Sequence, residues 1–140
     1  MIRTKLAIIF LIFIIGFLSN SCVEYLQAVG KKDVKFVPKT ERIGDYTYVI
    51  PANFEFLTKP SLIYQDDGIT RAYVVYRGVG NLGKLIKFLD TNLKKLGWKK
   101  RTAITGDVVL ISYERNGQLL IIKPETSLNL IYLRMLLAHL

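Results

Sequence analysis

Apolar residues change their spacing along this chain, and each change marks a new element. Leu6 to Leu18, LAIIFLIFIIGFL, is an apolar stretch of 13 residues broken only by Gly16. Residues 23 to 42, VEYLQAVGKKDVKFVPKTER, then show mixed charge, no sustained period and one proline, Pro38. Such a segment reads as a tether rather than as part of a core. From Ile43 onward the pattern becomes that of a folded domain.

Tyr46 to Ile50 is rich in β formers and stops at Pro51, which cannot continue a central strand. Phe54 and Phe56 alternate in the connection Asn53 to Thr58. Ser61 to Gln65 and Thr70 to Arg77 flank Asp66-Asp67-Gly68, a hairpin turn signal. In the second of these strands Ala72, Val74 and Tyr76 share one face, while Arg71 and Arg77 put the other toward water. Leu82, Leu85, Ile86, Leu89, Leu93 and Leu96 follow helical spacing and predict a helix over 82–96. Asn81 can cap its start and Gly97 can end it, with Trp98 folding back toward Leu93. Asp107 to Glu114, the turn Asn116-Gly117 and Gln118 to Lys123 predict a further hairpin. Pro124-Glu125-Thr126 predicts another turn and Ser127 to Met135 a last strand, leaving Leu136 to Leu140 as an apolar tail expected to pack on the sheet. The expected fold is therefore α+β: a single antiparallel sheet of about five to six strands with one amphipathic helix packed on one face.

Length bounds this to one domain of 43–140, preceded by a segment of 1–21 and a tether of 22–42. The chain has 20 basic and 11 acidic residues, a net charge of +9. Without Arg3 and Lys5, 18 basic residues face 11 acidic ones, leaving about +7. That surplus favours anionic surroundings such as lipid headgroups or acidic protein faces. Export would make nucleic acid an implausible partner.

Thirteen apolar residues fall short of the roughly 20 needed to cross a bilayer, and suit the apolar region of an export signal. Arg3 and Lys5 supply its positive start, and Ser19-Asn20-Ser21-Cys22 its small-residue end. At Ser21-Cys22 this segment resembles the lipobox of bacterial lipoproteins, with Ser19 standing where that family usually has an aliphatic residue. The resemblance covers residues 1 to 22 and implies cleavage before Cys22 and a diacylglycerol on its thiol. Acyl chains add about 0.8 kcal/mol per buried methylene, and stable attachment takes two. Val23 after the cysteine implies the outer membrane, facing the periplasm, if the cell has one; otherwise the protein sits on the outer face of the cell membrane. Two other readings stay open: ordinary secretory cleavage leaving Cys22 as a free thiol, or an uncut short anchor. Lys31, Lys32, Lys35 and Lys39 of the tether would then lie near anionic headgroups.

Pro51, Tyr76-Arg77-Gly78, Gly97-Trp98 and the pair around Asn116-Gly117 also make residues 47 to 123 look like small lipoprotein domains of unassigned function. That resemblance implies no activity.

Catalytic and metal-binding chemistry finds little footing. His139, the only histidine, sits one residue from the end and is expected to fray. With one histidine and one cysteine, zinc sites of those ligands are excluded, and no cofactor is expected. Asp66 and Asp67 are accounted for by their turn. Gly78, Gly80 and Gly83 spell G-x-G-x-x-G between a strand and a helix, but without the parallel βαβ unit that motif needs. Lys84, Lys87, Lys94 and Lys95 line the outer face of the predicted helix, followed by Lys99, Lys100 and Arg101. They are either a solvated face or a docking face for an acidic partner or the membrane. The expected function is a lipid-anchored cell-envelope protein, a non-catalytic binding or assembly module; the alternative is a small-ligand-binding protein or hydrolase whose site carries no sequence signature.

Overall fold

Among the described residues, nine strands and one helix form. The structure, a computed structural model, describes residues 34–140, so the expected export segment and Cys22 lie outside the described residues. The strands are β1 (Pro38–Ile43), β2 (Tyr46–Pro51), β3 (Glu55–Phe56), β4 (Leu62–Asp66) and β5 (Ile69–Gly78), followed by helix α1 (Leu82–Lys95). Then come β6 (Lys99–Ile104), β7 (Leu110–Arg115), β8 (Gln118–Ser127) and β9 (Leu130–His139).

The sheets are antiparallel, as expected, but there are two of them rather than one of five to six strands. β1 and β2 form a hairpin of their own. The other seven strands form one sheet in the order β3-β5-β9-β8-β7-β6, with β4 also pairing β5. Three strands were hidden from the pattern: β3, only two residues long, lies in the stretch read as a connection, and the other two share one reason. β6 is exposed along its whole length and β1 nearly so, so neither has the alternating burial that betrays a strand. β1 also takes in residues 38–42, which the sequence assigns to the tether.

The C-terminus differs as well. β8 runs on through Pro124 to Ser127, and the chain reverses at Leu128 and Asn129, both with positive φ. Pairing of β8 with β7 ends at Ile122, so Pro124 meets no strand on that side and the missing N–H costs little there. β9 then extends to His139, and Leu137 is a core residue rather than part of a tail.

One face of the large sheet is covered. Ala72, Val74 and Tyr76 of β5, Leu133, Met135 and Leu137 of β9, Leu120 and Ile122 of β8, and Ile111 and Tyr113 of β7 share it and are buried. β2 lies over the β5 side, where Tyr46 Oη donates to Thr70 O at 2.6 Å and the Tyr48 and Tyr76 hydroxyls meet at 2.6 Å. α1 lies over the β7 side, burying Leu85, Leu89 and Leu93. There Tyr113 Oη donates to Asp90 at 2.9 Å, and Arg115 Nη1 donates to the terminal carbonyl of Leu96 at 2.9 Å.

The helix ends are as expected. Asn81 accepts from Lys84 N at 3.0 Å, and Gly97 (φ 92) lets Trp98 N reach Leu93 O at 3.1 Å while Gly97 N reaches Lys94 O at 3.0 Å. This paired closure satisfies two carbonyls of the last turn. Trp98 is fully buried, and its Nε1 donates to Thr47 O at 2.9 Å, tying the helix end to the hairpin.

Candidate functional site

The outer side of α1 carries a groove of about 610 Å³. Its floor comes from two aromatic rings. Phe36 precedes β1 and Phe88 lies beside the fully buried stripe of α1, both half-buried against the edge of the core; their centroids are 5.6 Å apart. Phe36 also meets Phe54 edge-on at 6.1 Å. Gly80 makes this possible, because a Cβ there would run into the Phe36 ring. Gly78 stands against the Phe54 ring in the same way. Two glycines of the G-x-G-x-x-G spelling are thus explained by two phenylalanines packed on them.

Lys84 and Lys87, one helical turn apart, line the groove with Val34, Lys35, Thr91 and Asn92. Among the described residues no acidic side chain lines it. Lys35 and Lys87 are exposed and enter no ion pair among the described residues. The ammonium groups of Lys35 and Lys87 beside this apolar floor make a site for an anion that brings apolar surface with it.

The other two lysines expected on this face stand apart. Lys94 pairs with Asp90 at 2.8 Å, and Lys100 of β6 reaches the same carboxylate at 3.0 Å. Burial alone would raise the Asp90 carboxyl, but hydrogen bonds from Lys94, Lys100 and Tyr113 outweigh it and hold it at about 2. Lys95 is exposed in the last helical turn, where a cation offsets the helix dipole. Arg101 pairs with Glu114 at 2.9 Å, and Lys39 with Glu41 at 2.9 Å. The structure therefore splits the basic face: Lys84 and Lys87 join a groove, and Lys94 is neutralised. Phe36, Phe88 and Lys35 were missed as site residues. Phe88 falls off the core stripe of the helix, and its off-stripe aromatic ring was the one available signal.

A second concavity, of about 460 Å³, lies on the uncovered face of the large sheet. Its charges are already spent on one another. Arg134 donates to Tyr73 Oη at 3.0 Å and to Glu125 at 3.1 Å, and Lys123 pairs with Glu125 at 2.9 Å. Lys123 and Arg134 together hold the Glu125 carboxyl below its usual range.

His139 is not frayed. It closes β9, its ring lies 5.4 Å from that of Tyr46, and its Nε2 is 3.9 Å from Asp45 Oδ2. Gln118 Nε2 donates to the same carboxylate at 3.0 Å. This cluster pins the β1–β2 turn to the end of the large sheet. Among the described residues no group of three or more His, Cys, Asp or Glu is placed to hold a metal ion, and no helix is long and apolar enough to cross a membrane.

Compared with models of known families, with curated proteins and with solved structures, the chain matches none.

Proposed function

We propose that the protein is a lipid-anchored component of the cell envelope whose folded domain is a non-catalytic binding module, taking an acidic, partly apolar segment of an envelope protein in the groove of α1. One observation carries the binding half: Lys35 and Lys87, neither in an ion pair among the described residues, flank the Phe36–Phe88 floor, and no described lining residue is a carboxylate. An acidic segment would be drawn in by the two cations and held by contact with the two rings.

The anchoring half rests on the sequence at Cys22. Val34 is twelve residues on from Cys22, a stretch of chain that spans at most about 40 Å. A lipid on Cys22 would therefore keep the groove close to envelope partners.

Mild crosslinking in membranes, followed by recovery of the protein, tests the binding half. The wild type should recover a specific envelope protein, and the double variant Lys35→Glu, Lys87→Glu should lose it while folding normally. Equal recovery by both would remove the groove from the account.

A further inference from the structure

The open strand edges of this fold are not alike. The edge at β6 carries Lys99, Lys100 and Arg101, with a bulge between Lys100 and Thr102. The edge at β1 carries Pro38, Lys39, Glu41 and Arg42. Charge, proline and bulges are the means by which an unpaired strand is kept from joining another chain. β4 has none of them before its last residue: its sequence is Leu62-Ile63-Tyr64-Gln65-Asp66.

β4 pairs β5 on one side, from Leu62 opposite Tyr73 to Asp66 opposite Ile69, and among the described residues no strand pairs its other side. Leu62, Ile63 and Tyr64 are 69%, 53% and 53% exposed. Leu62 also ends an apolar row on the uncovered sheet face that runs through Tyr73 and Leu136 to Ile121. An apolar edge continuous with an apolar face is a template for strand addition.

What fits this edge is the strand itself. Antiparallel pairing of a strand with its own copy obeys two-fold symmetry, so each contact is made twice. Centred on Ile63, it sets Leu62 opposite Tyr64 of the partner subunit and Ser61 opposite Gln65 of the partner subunit. The same register brings the turn holding Lys59 against the turn holding Asp67 of the partner subunit. Lys59 and Asp67 are both exposed and enter no ion pair among the described residues. Backbone, apolar side chains and charge are thus all self-complementary in one register.

We propose that β4 pairs antiparallel with β4 of a second copy of this chain, centred on Ile63, joining two seven-stranded sheets into one. The pairing does not depend on the lipid or on the α1 groove.

The register makes the test sharp. Residues directly opposite one another have Cα atoms about 4.5–5.5 Å apart, within disulfide range, whereas residues two positions out of register do not. The full chain in density-matched detergent should sediment as a dimer. Under mild oxidation Ile63→Cys should crosslink to itself, and Leu62→Cys should not, with the wild type controlling for Cys22. Lys59→Glu, a surface change that leaves the core untouched, should weaken the dimer about tenfold. A monomeric wild type, or equal crosslinking of the two cysteine variants, would overturn the proposal.

Discussion

The hydroxyls of Tyr48 and Tyr76 meet at 2.6 Å inside the core, a side-chain bond between the β1–β2 hairpin and the seven-stranded sheet. Burial pushes both phenols up, Tyr76 to about 12 and Tyr48 further. Each hydroxyl is the other's partner, so removing one strands its mate. Tyr48→Phe or Tyr76→Phe alone should cost about 1–3 kcal/mol, and the double variant distinctly less than the sum, by urea unfolding. The pH dependence has a definite sign. The unfolded phenol ionises near 10 and the folded one only near 12 or above, so rising pH favours the unfolded chain. Stability should be intact below about pH 10 and fall as pH rises from there through 12.

Asp90 works in the opposite direction. Its folded carboxyl ionises at about 2, below the ordinary 3.8. As pH falls, the unfolded chain takes up the proton first. The contribution is present above about pH 4 and is lost as pH falls through 2. On the order of 1–2 kcal/mol should vanish across that window. Asp90→Asn should flatten that part of the stability profile; an unchanged slope would separate Asp90 from acid unfolding.

Gly97 holds φ 92 at the helix end, where a side chain meets a left-handed penalty. Gly97→Ala should destabilise the domain by about 1–2 kcal/mol, mainly through backbone strain, because the nearest neighbour of a new Cβ is Arg115 Cδ at an ordinary 3.5 Å. Thermal unfolding reads this directly.

Leu128 is a leucine with φ 50, 92% exposed, at the first central position of the β8–β9 turn. Asparagine tolerates that conformation far better. Leu128→Asn should therefore stabilise the domain by about 1 kcal/mol, raising Tm by roughly 4 °C.

Legibility in the sequence followed the range of the interaction that fixed each element. Asn81, Gly97 and Asn116-Gly117 act within a few residues of themselves, and the helix and hairpin they define are where the pattern put them. β6 was not legible, because Lys99, Lys100 and Arg101 are held in a strand by β7 alone and read as a charge run. Pro124 read as a turn because its tolerance depends on where β7 stops. The turn itself fell at Leu128, which no turn rule favours. Lys84 and Lys87 could be placed on one helix face from spacing. The groove could not, since Phe36 arrives from a segment that looked like a tether, and only packing on Gly80 and Phe88 brings it there.

Attachment through Cys22 is the central claim, and membrane fractionation of the wild type against Cys22→Ala tests it most directly. The wild type should be found with membranes and resist high salt, and Cys22→Ala should lose the lipid and either be released or remain as uncleaved precursor of higher mass. Equal retention of both proteins at the same mature mass would contradict a lipid anchor on Cys22.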